Sequence, residues 1–284
     1  MEFALHFPKA PLDRHVESIT FYSGFAPEHD REKLLPDGAI QVIVDLTDRP
    51  KKLYAGETTP IGVEFSRSWI SGMQQRWIVI EAQQAASMLV IRFRPGGAVA
   101  FMRHDASAFT NAVHPLDSVL NRRAISLRDR VLEAADIPAK FAAAESWLLE
   151  QADGELVLNR AAGFLAARLA GAATRVRDLV DVAGLSERQA RNVFDKWIGI
   201  APKQYARISR FQSLLGAIAP AIDDPTFSAA ALPAPDWARL AVEAGYADQS
   251  HLSHEFMAFA GMTPGAYATA YRGLLNYLPI TVGT

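Results

Sequence analysis

The chain has 284 residues, half of them hydrophobic and about a fifth charged, with a formal net charge of -2 and a pI near 6.4. That length fits two domains, and the composition fits a folded globular protein with no room for extended disorder. The sequence contains no cysteine, which excludes disulfides, thiolate metal sites, a cysteine nucleophile and thiol redox chemistry, while the slightly acidic balance by itself argues against a nucleic-acid partner.

The N-terminal run Met1-Glu2-Phe3-Ala4-Leu5-His6 lacks a basic segment followed by an apolar core, so no signal peptide is expected. The longest apolar stretch, Ala161 to Ala173, is interrupted by Arg168 and is too short to span a bilayer. The expected location is the cytoplasm.

The first half reads as β-rich. Ile40, Val42, Val44 and Leu46 alternate with Gln41, Ile43 and Asp45, the period of two expected of a strand. Trp77–Ile80 and Met88–Phe93 are further strand candidates, rich in β-branched and aromatic residues. Turn signals separate them at Pro36-Asp37-Gly38, Ala55-Gly56-Glu57, Ser71-Gly72 and Pro95-Gly96-Gly97. Short strands so punctuated predict an antiparallel barrel or sandwich.

From about Leu116 the texture turns helical. Leu127, Val131 and Leu132 fit one amphipathic stripe, and Phe141, Trp147 and Leu148 a second that begins after Pro138. Val157, Ala161, Phe164, Leu165 and Leu169 fit a third, ended by Gly171-Ala172-Ala173.

An internal repeat follows. Leu179-Val180-Asp181-Val182-Ala183-Gly184-Leu185 is matched about 61 positions on by Leu240-Ala241-Val242-Glu243-Ala244-Gly245-Tyr246. At a shift of 62, Ala190, Phe194, Gly199, Pro202 and Tyr205 then fall on Leu252, Phe256, Gly261, Pro264 and Tyr267. Each copy has helix-turn-helix grammar. A short helix ends at Gly184, which takes φ > 0 at no steric cost. Ser186 opens the next helix, with Gln189 completing a capping-box pattern. Ala190, Val193, Phe194 and Trp197 recur at i, i+3, i+4 and i+7 and face the core, leaving Arg188, Gln189, Arg191, Asn192 and Asp195 outside. In the second copy Leu252, Phe256 and Phe259 form the buried stripe, and Gln249, Ser250, His251, Ser253 and His254 stay exposed. A helix from Pro202 to about Ile218 joins the copies. Its roughly 17 residues span about 25 Å, of the order of the roughly 34 Å between successive major-groove faces.

On these residues the segment from Arg175 to Tyr271 resembles the DNA-binding domain of the AraC/XylS family of bacterial transcription regulators. The marks are Ala183-Gly184-Leu185-Ser186, Phe194, Gly199–Tyr205 and Arg210, and again Ala244–Leu252, Phe256 and Gly261-Met262-Thr263-Pro264. The resemblance implies base reading by Arg188, Gln189, Arg191 and Asn192 in the first copy and by Gln249, Ser250, His251 and His254 in the second. Lys196, Lys203 and Arg207 are candidate phosphate contacts. Pro11-Leu12, Leu35-Pro36-Asp37-Gly38 and Arg92–Gly97 carry a weaker similarity to a poorly understood domain often fused to this module.

The sequence departs from the family pattern in three respects. Pro220, Pro225, Pro233 and Pro235 punctuate a connection longer than usual, so the second reading helix is expected to be less rigidly placed. From Ala172 to Arg272 there are ten Lys/Arg and ten Asp/Glu, a neutral domain that predicts weak non-specific binding and a shallow salt slope. The second reading helix has no arginine or lysine, and Ala268 stands where an arginine commonly follows the last tyrosine.

Blander readings compete at several sites. His251 and His254 lie three apart on one face but lack a third metal ligand nearby. The Gly96-Gly97 pair suits a tight turn better than an anion cradle. Trp69 and Trp77 suit a core better than an effector pocket. No catalytic set assembles from local signatures, so neither enzyme activity nor a cofactor or metal is expected.

The expected fold is α+β in two domains. Residues 1–171 form a β-rich sensor or oligomerisation domain, helical beyond about 115. Residues 172–272 form an all-α tandem helix-turn-helix joined by a long helix, with a tail at 273–284. Expected partners are double-stranded DNA, a small-molecule effector and RNA polymerase, for a monomer or homodimer. The alternatives are an N-terminal enzyme or small-molecule carrier tethered to a DNA-binding module, and a protein-interaction scaffold.

Overall fold

The computed structural model describes residues 1–120, 122–152, 156–170, 176–222 and 236–280. The N-terminal strands are β1 (Glu2–His6), β2 (Val16–Phe25), β3 (Arg31–Leu34), β4 (Gln41–Asp45), β5 (Lys51–Tyr54), β6 (Gly62–Phe65), β7 (Ser68–Ser71), β8 (Ile78–Glu81), β9 (Ala86–Phe93) and β10 (Val113–Pro115). They form two antiparallel sheets, ordered β1-β2-β9-β4-β7-β10 and β3-β8-β5-β6. The sheets do not close on each other, so the fold is a sandwich and not a barrel.

The period of two divides the larger sheet cleanly. On β4 and β9, Val42, Val44, Leu89, Ile91 and Phe93 are buried against helices on the outer face. Gln41, Ile43, Met88, Val90 and Arg92 point the other way, into a cavity of about 420 Å³ between the sheets. The outer face is covered by α1 (Val99–Met102), α2 (Leu116–Leu120), α3 (Arg122–Glu133) and α4 (Ile137–Gln151). Helix α4 starts on the Asp136 cap with proline in its first turn, and Trp147 and Leu148 are fully buried as expected.

The third stripe is met in part: Leu165 and Leu169 are buried as expected, and Val157 precedes the helix. In α5 (Arg160–Ala170) the buried residues are Ala162, Leu165, Ala166 and Leu169, whereas Val157 and Phe164 are exposed. Helix α5 packs against the helix that joins the two copies, with small alanines on its buried face. Leu132 likewise faces solvent. The expected domain boundary at 171/172 lies outside the described residues.

The C-terminal region contains α6 (Val176–Val182), α7 (Glu187–Trp197), α8 (Pro202–Ile222), α9 (Trp237–Glu243), α10 (Gln249–Ala260) and α11 (Pro264–Ala270). The connector α8 runs through Pro220 and has 21 residues, about 32 Å. Pro225, Pro233 and Pro235 lie outside the described residues. Part of the expected tail is a strand: β11 (Tyr277–Ile280) pairs antiparallel with β3, in the register Tyr277 to Leu34. It extends the smaller sheet to five strands, and Leu278 is buried there. Among the described residues no helix is long and apolar enough to cross a membrane.

Candidate nucleic-acid interface

Both halves of the repeat are built from the same backbone chemistry. Helix α6 ends in a Schellman pattern, with Leu185 N donating to Val180 O and Gly184 N to Asp181 O around Gly184 at φ 67°. Helix α9 ends identically: Tyr246 N donates to Ala241 O and Gly245 N to Val242 O, with Gly245 at φ 79°.

The next helix is then capped in both copies. Ser186 Oγ accepts from Gln189 N at 3.2 Å, and Gln189 Oε1 accepts from Ser186 N at 2.8 Å, a closed capping box. In the second copy Asp248 Oδ1 accepts from His251 N at 2.7 Å, and His251 Nδ1 accepts from Ala247 N at 3.3 Å. His251 is therefore the counterpart of Gln189, one repeat on. Each turns an acceptor atom back to its own helix start.

The buried faces lock the two copies onto the connector. Phe194 meets Tyr205 edge-on at 5.8 Å; Phe256 and Phe259 lie 5.2 and 5.1 Å from Phe211. Arg188, Gln189, Arg191, Asn192, Asp195 and Lys196 are exposed on α7, as are Gln249, Ser250 and His254 on α10; His251 is half-buried. Lys203 is exposed at the start of α8. The structure thus brings the expected reading residues onto the free N-terminal halves of two matched helices. Among the described residues no cluster of three His, Asp or Glu side chains that could hold a metal ion includes His251 or His254.

Arg207 is placed differently. Its guanidinium donates to Glu255 on α10, with Nη2 to Oε1 at 2.7 Å and Nε to Oε2 at 2.9 Å, while Nη1 donates to Gln204 Oε1. The hydrogen-bonded Glu255 carboxylate raises the pKa of Arg207 further. This two-pronged pair braces α8 against the second reading helix.

The opposite ends of both reading helices rest on the N-terminal domain. Gly199, at φ 96°, follows α7, and Thr110 Oγ1 donates to its carbonyl; a Cβ there would lie 2.9 Å from Ala106 O. Gly261, its repeat equivalent, has φ 65°, and a Cβ would lie 2.4 Å from Trp77 Nε1. Trp77 N donates to Phe259 O at 3.2 Å. Buried Lys33 donates to Ala260 O at 3.1 Å, pairs with Glu57 at 2.6 Å and lies 4.6 Å from the Trp77 ring. A cation at a helix C-terminus is favoured by the helix dipole. These contacts hold α10 independently of the segment for which a looser placement was expected. Lys33 and Trp77 meet the carbonyls of its last turn, at Ala260 and Phe259, and Arg207 holds Glu255 in its middle.

The motifs of the N-terminal domain serve the same join. Pro36 O accepts from Gln212 Nε2 on α8 at 2.6 Å, and Asp37 is held by Arg92. Gly96, at φ 82°, abuts Trp197, and a Cβ on Gly97 would lie 2.1 Å from His15 O. The glycine pair is a tight turn, with Gly97 N donating to Arg94 O at 2.8 Å, set against α5 and the end of α7. These docking residues were not identified from sequence; the one available signal was the recurrence of glycine at 199 and 261.

Residues 179–270 match a family model described as a helix-turn-helix domain, and residues 5–115 match a domain of unknown function (DUF6597). No curated protein matches the chain. In fold the chain is similar to a crystal structure of ToxT from Vibrio cholerae, at 10% identity and TM-score 0.46, over 88% of this chain and 98% of that one. It is also similar to ToxT from the same organism with an unsaturated fatty acid bound, at 10% identity and TM-score 0.47, over 92% and 97%. Residues 179–270 are an AraC-type helix-turn-helix domain, and the chain is a DNA-binding regulator that carries it behind a domain of unknown function.

Proposed function

We propose that α7 and α10 enter adjacent major-groove faces of one DNA site, held apart by α8, and that the N-terminal sandwich controls this through a small molecule bound between its sheets. The carrying observation is the matched geometry of the two reading helices: equivalent caps, exposed N-terminal halves and anchored C-terminal ends. Arg188, Arg191 and Asn192 read bases from α7, where arginine-to-guanine and asparagine-to-adenine pairings fit the groove edges. Gln249, Ser250 and His254 do so from α10. Gln189 and His251 meet DNA with their remaining polar atoms, since one acceptor of each is used in its cap. Lys196 and Lys203 take phosphates, and Arg207 acts as a brace.

Control follows from the end of the chain. Leu274, Asn276 and Tyr277, just beyond the second helix-turn-helix, border the cavity. Asn276 Oδ1 accepts from Gln212 of α8 at 2.8 Å, and its carbonyl accepts from Leu35 N. An occupant of the cavity bears on a segment attached to both the connector and α11. The protein acts as a regulator and not as an enzyme.

Footprinting tests the reading. A protected site two major-groove turns long is expected, and Arg191→Ala should weaken it by about 1–3 kcal/mol at one base position. Unchanged footprints for both Arg191→Ala and Asn192→Ala would refute the assignment of α7.

A further inference from the structure

Every charged side chain that lines the cavity, among the described residues, already has a partner within the protein. Lys51 pairs with buried Asp45 at 3.5 Å and also donates to Gln83. Arg92 lies between Asp37 and Glu17. Glu32 accepts from His29 at 2.9 Å, and Glu81 accepts from Gln83 Nε2 at 2.6 Å. Lys52, nearer solvent, faces Glu64 at 3.8 Å. Burial already works against these charges, pushing the Glu32 carboxyl up and the Lys51 ammonium down.

The rest of the wall is of two kinds. The larger sheet contributes the neutral hydrogen-bonding groups Ser18, Thr20, Gln41 and Ser71, and both sheets contribute apolar side chains, Val90 and Ile80 among them. An ionic ligand would meet no unpaired side-chain charge in this space, among the described residues, and would lose its hydration with little return. A neutral molecule loses less, and its apolar body gains from burial.

We propose that the cavity between the sheets takes an uncharged, largely apolar small molecule bearing one or two neutral hydrogen-bonding groups. This rests on reading the cavity as the effector site.

Two probes with one skeleton test it on the full chain. N-phenyl-1-naphthylamine is neutral, and 1-anilinonaphthalene-8-sulfonate adds an anionic group. The neutral probe should bind saturably, with enhanced fluorescence, and the sulfonate more weakly by on the order of tenfold, about 1.4 kcal/mol. Ser71→Phe or Val90→Phe, each checked for native circular dichroism, should fill the space and abolish binding. Asp45→Asn keeps an acceptor for the Thr47 hydrogen bonds while freeing Lys51 of its counter-charge, and should raise sulfonate affinity selectively.

Tighter binding of the sulfonate by the native chain, lost in the filled variants, overturns the proposed ligand class and leaves the effector site standing. Failure of both probes, or binding indifferent to the filled variants, overturns the effector site itself. Sulfonate affinity unchanged in Asp45→Asn would show that charge compensation does not set selectivity, and sinks the proposal on its own ground.

Discussion

At the scale of single residues, the buried histidine His15 carries a pH-dependent share of stability. Its Nδ1 and Nε2 lie 3.3 Å from the carbonyl oxygens of Gly97 and Leu156, and its ring meets Phe101 edge-on. Burial lowers its pKa below the ordinary 6.5, against the raising effect of those two carbonyls. The folded chain therefore resists a proton that the unfolded chain accepts. Well above pH 6.5 neither state is protonated at this residue and its contribution is complete. As the pH falls from 6.5 toward the lower folded-state value, stability is lost, by at most about 1.4 kcal/mol per pH unit. Denaturant unfolding at pH 5 to 7.5 should show a smaller loss in His15→Asn than in the native chain. Identical slopes would remove His15 as the source.

At the scale of elements, the connector and second reading helix are coupled through Arg207 and Glu255. Glu255→Gln keeps the shape and loses the charge, and should cost about 1 kcal/mol because the pair is only partly shielded from water. Protection over the second half-site should weaken more than over the first; an even loss, or none, would deny the brace. The helices of the repeat were legible because glycine, cap and apolar spacing all mark the same boundaries. Gly184, Ser186 and Gln189 each do in the structure what their positions implied. Strand β3 was not legible. Arg31-Glu32-Lys33-Leu34 reads as a polar run, yet Glu32 and Lys33 are buried, one facing the cavity and the other reaching α10. A strand covered on both faces, with Glu32 met by nearby His29 and Lys33 by groups far along the chain, has no alternation to detect. Strand β11 was hidden for the same reason: its partner is β3, over 240 positions earlier.

At the scale of the whole molecule, β11 ties the chain's last helix-turn-helix to the sheet that walls the cavity. Leu278→Asp places a charge in a buried position and should cost several kcal/mol unless the strand detaches, in which case the loss is limited to about 2 kcal/mol of apolar burial. Hydrogen exchange distinguishes the two: detachment should speed exchange along β3 and in α11 while the larger sheet stays protected. Protection unchanged in β3 would mean the strand is not an anchor. The glycines at 199 and 261 carry a consequence for redesign. Because the C-terminal ends of both reading helices are finished by contacts from another domain, residues 179–270 transplanted whole should lose stability. The exposed first turns of α7 and α10 carry little of that packing. Under the proposed base reading, new operator specificities are to be grafted there, at 188, 191 and 192 and at 249, 250 and 254, with each helix's cap and glycine left in place.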